Sequence, residues 1–498
     1  MKTHWIDRVT GPVAPRWTLR RQQARIAAEL LQRHYEAAAS GRRTQGWHRT
    51  SADANAAIGP GLAQLRDAAR DLVRNNPYAE AAINTICDHT VGWGIVAKTK
   101  NVRAQKAWDA WANSTDCDAD GRHNFAGLQK LVTATVAESG EVLVRRRIRR
   151  PEDGFALPLQ LQVLEPDYLD ITKDTTVLSA GGVVARRIIQ GVEFDAIGRR
   201  MGYWLFPEHP GSTLSRLNVS QFVPAESVAH IYRADRPGQV RAASWFAPVL
   251  LRFKDFDEYE DAQLMKQKIA ACLAVITSNA DGSAPALGTA DDVTTTPGVD
   301  SLEPGMLLNV APGSSITVVD PPVIREYADF CKVSLRAIAT GIGVTYEDLT
   351  GDYTELPFSA ARMSRLRHYA RVDDWRWNLI VPQFCDPAWA WAMEVAQVMG
   401  LTDAATPVEW TAPPMPMIEP DKEGLAYQRN IRTGIMSLSE ALRERGYGPM
   451  EVLTEIAADN KELDRLGLRL DSDGRYMTQA GQLQGPAATP AATPGEPV

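Results

Sequence analysis

Little in this chain of 498 residues points to chemistry. Its five cysteines, at positions 87, 117, 272, 331 and 385, include no CxxC pair. That excludes a zinc ribbon and a regular disulfide framework, and it fits reduced thiols in a cytoplasmic setting. Basic charge is scarce too: 54 Lys and Arg against 61 Asp and Glu leave a formal net charge of −7. A protein that grips nucleic acid phosphates over its whole surface is therefore excluded, although one that holds DNA loosely is not. The first 17 residues have no apolar core and no cleavage-like site, so no secretion is expected. One long, mostly apolar stretch, 378–401, contains Asp386, Glu394, Pro382 and Pro387. Those residues are costly at mid-bilayer, so the stretch reads as a buried helix and turn, with no membrane contact.

Catalytic signatures are missing as well. There is no G-x-S-x-G elbow and no H-E-x-x-H. Gly92, Lys98 and Thr99 follow the spacing of a phosphate loop, but Ala97 stands at its second glycine. A helix precedes the motif where a strand should, and no helix begins at Lys98. Asp116, Asp118, Asp120 and Gly121 open like a calcium loop, yet Gly127 occupies the twelfth position, where a bidentate Glu belongs. Aspartates that cap the next helix explain the same residues. Glu226 and His230 lie four apart on a predicted strand and read as an ordinary polar contact. Five arginines between Arg145 and Arg150 suit either nucleic acid or a solvated strand edge. Neither a cofactor nor a catalytic site is expected.

What is present is a long helical pattern. Across 244–278, Ser244 can cap and Pro248 falls in the first turn. Phe246, Val249, Leu250, Phe253, Phe256, Leu264, Met265, Ile269, Cys272 and Ile276 then recur at helical spacing. As one helix this would be a rod of ~50 Å, with Asp255, Asp257, Glu258, Glu260 and Asp261 in its middle. Most globular helices run about three turns, so such a rod bundles, bridges domains or lines something extended.

Around it the period changes. An arginine-rich amphipathic helix is expected over 17–39, and helices over 62–86 with an interruption at Asn76-Pro77, around Trp108 and Trp111, and over 125–139. Period-two alternation predicts strands over 142–150, 157–164, 192–194, 203–206 and 228–232. The region 62–243 is therefore α+β. Residues 279–300 are rich in Gly, Ser, Thr, Ala and Asp, and 306–310 with 316–319 suggest a hairpin. Helices are expected at 324–340, 359–381, 421–445 and 449–466, with a short polar loop at 341–358. Beyond Gln482 the Ala-Ala-Thr-Pro repeats offer nothing to fold around, which predicts disorder.

Several long segments carry a resemblance. RDLVRNNPYAEAAINTI and VGWGI (70–95), EPDYLD (165–170), GVEFDAIGRRMGYW (191–204) and PAESVAHIYRADRPGQVRAASWFAPVL (224–250) are similar to portal proteins of lambda-like tailed bacteriophages. So are DEYEDAQLMKQKIAAC, LEPGM and RAIATGIGVTYEDLTGDYTE, which ends at Glu355. The resemblance runs from about Tyr35 to Gly446. Trp93 departs from it where a small polar residue is expected, as do Pro357 and Ala360 in place of Asn and Ser; these changes touch loop conformation.

The resemblance implies a mainly helical α+β portal fold. It also implies a ring of copies, usually twelve, at one capsid vertex, with double-stranded DNA passing through without sequence specificity. In its terms 1–61 is an N-terminal arm, 62–243 the wing, 244–278 and 324–340 two stem helices, and 279–323 the clip. The remaining parts are a tunnel loop (341–358), a backbone helix with wing return (359–400), a crown (401–470) and a disordered tail (471–498). Implied partners are the terminase large subunit, a head–tail adaptor and a major capsid or scaffold protein. The implied location is the virion, after assembly in the host cytoplasm. Asp352, Tyr353, Thr354 and Glu355, with Asp257, Glu260 and Asp261, are the candidates to face DNA. Arg362, Arg365, Arg367, Arg371 and Arg376 are candidates to pair with stem acids across subunits. The competing classes are a head protein without a channel and a DNA-processing enzyme of the packaging machinery. The first would not need two helices around an insert, and the second lacks a phosphate loop or a metal-spaced carboxylate cluster.

Overall fold

The computed structural model describes residues 42, 45, 46, 50–178, 184–213, 219–271, 275–279, 314–318, 327–354, 357–402, 406–470 and 475. The expected helix over 17–39, the strand at 306–310, most of 279–323, Glu355 and the C-terminal tail lie outside the described residues. Residues 1–53 and 54–498 form separate compact units.

Its first half is a helical layer on a small sheet. Helix α1 (Leu62–Asn75) leads into α2 (Pro77–Thr90). The break comes from Asn76, which adopts an extended conformation and accepts hydrogen bonds from the amides of Tyr78 and Ala79, while Pro77 takes the first helical position. Strand β1 (Val96–Lys98), α3 (Val102–Ala112) and α4 (Phe125–Ser139) follow. Gly140 ends α4 at φ +91°, and a side chain there would collide with the Ala243 backbone at 2.4 Å. The chain then enters β2 (Glu141–Ile148) and β3 (Leu159–Leu164).

A five-stranded antiparallel meander comes next: β4 (Thr175–Leu178), β5 (Val184–Ile189), β6 (Val192–Asp195), β7 (Arg200–Leu205) and β8 (Gln221–Pro224). Strand β9 (Val228–Tyr232) is buried throughout and returns to the first sheet, giving the order β3-β2-β9.

The long helix is shorter than its apolar pattern suggests. Helix α5 covers Leu250–Ala271, which is 22 residues or ~33 Å. Residues 245–249 form turns before it, and beyond it Val275–Asn279 is a strand, β10, paired antiparallel with β11 (Ser314–Val318). Ile276 thus belongs to a strand, and β11 pairs with 275–279 where a 306–310 partner was expected.

Helix α6 (Tyr327–Ile342) and the short α7 (Tyr346–Thr350) precede a helix that runs unbroken over 358–398. It comprises α8 (Phe358–Trp375), a π-helical stretch (Arg376–Cys385) and α9 (Asp386–Val398). Pro382 sits inside the π stretch, where a widened turn relieves the missing amide and the ring's clash with the preceding turn. Strand β12 (Glu409–Thr411) pairs with β1, and α10 (Pro420–Thr433), α11 (Leu438–Glu444) and α12 (Pro449–Leu466) end the described fold.

The core sits where α2, α3, α4 and α9 meet the π stretch. Trp108 packs on Trp111, Phe125 and Trp389 with ring centres 5.0–5.2 Å apart, and Phe125 stacks on Phe384 at 5.3 Å. Buried indoles need partners for their N–H groups. Trp111 donates to the Leu159 carbonyl at 2.7 Å and Trp389 to the Thr406 carbonyl at 2.9 Å. Among the described residues no helix is long and apolar enough to cross a membrane.

Candidate functional site

The phosphate-loop lookalike is structural. Helix α2 precedes it, Lys98 lies on β1, and its ammonium pairs with the Glu451 carboxylate of α12. Asp118 organises the turn but does not cap the next helix, since Asn124 does that by accepting the Gly127 amide at 2.9 Å. The Asp118 carboxylate accepts backbone N–H groups of Asp120, Arg122 and His123 at 3.0–3.1 Å. Burial alone would raise its pKa, but these donors outweigh it and hold the group below the usual range. Asp116 sits in the turn capped by Ser114, and Asp120 is exposed.

His230 does not meet Glu226. Its Nε2 lies 3.0 Å from Glu141 of β2, and Glu141 also takes the Arg241 guanidinium at 2.6 Å. All three side chains are about 1 % exposed. Burial opposes charge on Glu141, but Arg241 and His230 dominate and hold its pKa down at about 2. Burial also lowers His230, to about 4. This triad fastens β2 and β9 to the segment leading into α5. Of the arginine run, Arg146 pairs with Glu394 at 2.6 Å and Arg149 donates to Gln160 at 2.7 Å, so both serve the sheet's surroundings.

Helices α5 and α6 pack side by side through Tyr259, whose ring lies 4.3 Å from Phe330 and 6.0 Å from Tyr327. At the base of the pair Gly341 lies against Val249, and a Cβ there would come within 2.3 Å of it. Among the described side chains of α5 the buried ones fall in its first two turns: Phe253 is 0 % and Phe256 2 % exposed. Further along, Leu264 and Met265 are 51 % and 58 % exposed, and Val333 of α6 is 65 % exposed. These side chains leave apolar surface on both helices of the pair.

The acids of α5 divide by face. Asp257 is half-buried and accepts the Asn76 side-chain amide at 2.6 Å, which ties α5 to the α1–α2 corner. Burial first, then neighbouring acids, raise the pKa of both Asp257 and Glu260, although the Asn76 bond partly offsets this for Asp257. Asp261 is exposed.

The polar segment 341–358 contains a helix that periodicity did not reveal, α7, capped by Thr345 at its start and by Gly351 at φ +70°. After Gly351 the Asp352 carboxylate accepts Thr354 Oγ1 at 2.6 Å, the Thr354 amide at 3.1 Å and the Tyr346 hydroxyl at 3.2 Å. The Thr354 donors hold its pKa below the usual range. Tyr353 is half-exposed beside it.

Within the basic helix α8, Arg362 and Arg367 are exposed, and Arg362 reaches Glu419 at 3.5 Å. Arg365 lies over the Tyr369 ring, and Arg371 packs beneath Gly343. Arg376 is corrected. It is 4 % exposed and donates to the carbonyls of Thr90 (2.8 Å) and His89 (2.6 Å), so it is buried within its own subunit and is not available for pairing across subunits.

A cluster absent from the sequence reading lies beside it. His89 of α2, Asp348 of α7 and His368 of α8 converge, with the ring nitrogens of the two histidines 2.8 Å apart. Burial lowers the pKa of both, and His368 stands at about 4. These histidines are 279 positions apart, so no spacing could announce the pair.

Comparison with known proteins gives the chain a family. Residues 40–376 match the family described as phage portal protein, lambda family. The chain belongs to that family of phage portal proteins. A probable portal protein of Halomonas phage phiHAP-1 is 26 % identical over 471 residues, covering 88 % of each chain. The portal protein of Escherichia phage N15 is 23 % identical, covering 89 % of this chain and 92 % of its own. Portal protein B of Escherichia phage lambda is 23 % identical, with 66 % and 68 % covered. Among solved structures, the neck of an empty gene transfer agent particle aligns at TM-score 0.45 and 16 % identity, over 78 % of this chain and 94 % of that one.

Proposed function

We propose that copies of this chain, twelve to a ring, assemble into the portal of a tailed-phage-like particle, and that double-stranded DNA passes through the hole. Membership of the portal family over residues 40–376 is the observation that carries this reading. The exposed Leu264, Met265 and Val333 support it, because an isolated subunit has no use for apolar side chains on two adjacent helices, whereas a ring can bury them against the next copy.

In this reading α5 and α6 are the stem. Strands β10 and β11 close the chain around residues 280–313, which with their flanks make the clip that docks terminase during packaging and a head–tail adaptor afterwards. The segment 62–243 is the wing, 401–470 is the crown, and capsid or scaffold protein meets the ring during assembly. Residues 351–358 form the channel loop. A conduit must not hold its cargo, since each neutralised phosphate adds grip. Charges repeated around an axis add their fields at the centre, so Asp352 and Glu355 of every copy repel DNA and keep it sliding. Asp261 does the same from the stem, whereas Asp257 and Glu260 serve the packing of α5. The protein catalyses no reaction of its own.

Deleting 280–300 tests the clip: rings should survive while terminase and adaptor docking is lost. Normal docking by the deletion would reject that assignment. Changing Asp352 and Glu355 together to Lys should leave rings intact and give salt-sensitive DNA retention with less DNA packaged per particle. Unchanged packaging would take this loop out of the channel.

A further inference from the structure

We propose that His89, Asp348 and His368 form a binding site for one transition-metal dication of the Zn2+ class, joining α2, α7 and α8 at the root of the 351–358 segment. Three donor atoms, one from each residue, lie within 4.8 Å of one another. Two imidazoles and a carboxylate are a donor set that Zn2+ accepts, with a fourth position left to water.

Local structure presents each donor. Asp348 sits in the first turn of α7, where its Oδ2 accepts the Thr345 hydroxyl at 2.8 Å. Its carboxylate is thereby oriented by a neighbour, as metal-bound carboxylates usually are. His368 is 4 % exposed on the inner face of α8, and the two rings meet edge to face with centres 4.9 Å apart. Burial disfavours the imidazolium form of both histidines, so each ring is neutral at pH 7, the form that binds metal.

Metal binding requires the donors, which lie within 4.8 Å of one another, to settle at separations of about 3.3 Å. His89 Nδ1 and His368 Nε2 are 2.8 Å apart and share a hydrogen bond. In a tetrahedral zinc shell two nitrogens stand roughly 3.3 Å apart, given Zn–N distances of about 2.0–2.1 Å. The rings must separate by about 0.5 Å. The ring that donates in the metal-free pair must carry its proton on its other nitrogen, a tautomer shift with no net proton loss. Arg365 and Arg371 act on the histidines as opposing positive charges, and the Asp348 carboxylate counters them.

The test uses untagged full-length protein stripped with EDTA and titrated with Co2+ as a spectroscopic stand-in for Zn2+. The expected result is a visible ligand-field band that saturates at one ion per chain. It should disappear in His89→Gln and in Asp348→Asn, both checked for a wild-type far-ultraviolet spectrum. Zn2+ at a hundredfold excess over its Kd should raise the wild-type Tm by roughly 3 °C and leave both variants unmoved. Absence of a saturating band, or a band that persists in both folded variants, would overturn the site. Because the two variants sit on different helices, a folding failure in one leaves the other to decide.

Discussion

The body of this protein and its α5–α6 pair are built on opposite terms. In the body, Trp111, Phe384, Leu128 and Ile86 are wholly buried, and even its charges are enclosed, as with Glu141, His230 and Arg241. In the helical pair, burial ends within two turns of the start of α5, and Leu264, Met265 and Val333 face outward. The body carries its own reasons to fold. The far part of the pair is left open by the described residues, and in our reading the next copy in a ring covers it. Stability and assembly should therefore be separable by mutation.

The sharpest break in the body is Trp111→Ala. It removes the largest fully buried side chain and leaves the Leu159 carbonyl without its donor, so a loss of about 3–5 kcal/mol is expected. Denaturant unfolding measures it, and a loss below about 1 kcal/mol would mean the aromatic cluster is not the core we describe. Glu141→Gln should cost about 3 kcal/mol, because it leaves the Arg241 guanidinium buried without a counter-charge. Glu141→Gln with Arg241→Met should recover part of that loss, and a double variant no better than the single would argue against a charge-pair origin.

Acid should act on the same triad. The folded pKa of His230, about 4, lies below the ordinary 6.5, so between those values the unfolded chain binds a proton that the folded chain refuses. Glu141, held at about 2 against 4.5, extends the effect to lower pH. Both contributions are present at pH 7 and fade on acidification, from pH 6.5 toward 4 for His230 and from 4.5 toward 2 for Glu141. Chemical denaturation across pH 4–7 should show stability falling with pH, more gently in His230→Phe. Equal slopes would assign the acid sensitivity to other groups.

The smallest effect on the subunit should come from Leu264→Glu with Met265→Glu. Exposed positions tolerate substitution within about 0.5 kcal/mol, so unfolding of the isolated subunit should barely change. Ring formation, followed by sedimentation, should fail. A variant that still forms rings would show that this face is not the contact.

Residues that interact with near neighbours were readable in advance. The alternation in β2 and β3, the helices around Trp108 and over 125–139, and the Asn76-Pro77 break all follow from local pattern and capping. Helix α5 ends before its apolar pattern does, because Ile276 keeps helical spacing while its true partner, Thr317, lies far along the chain. Strand β4 escaped notice because it is largely exposed and carries no apolar alternation. Helix α7 escaped because five polar-flanked residues give too few turns for a period. The enclosed Glu141–Arg241 pair and the His89–Asp348–His368 cluster unite distant segments, and only the fold brings them together.

Electron microscopy of the purified full-length protein bears most directly on the central claim. The account predicts closed rings with a central hole wide enough for duplex DNA. In those rings the α5 surface around Leu264 and Met265 should be covered by the adjacent copy. Monomers at high concentration, or rings in which that surface stays open to solvent, would contradict it.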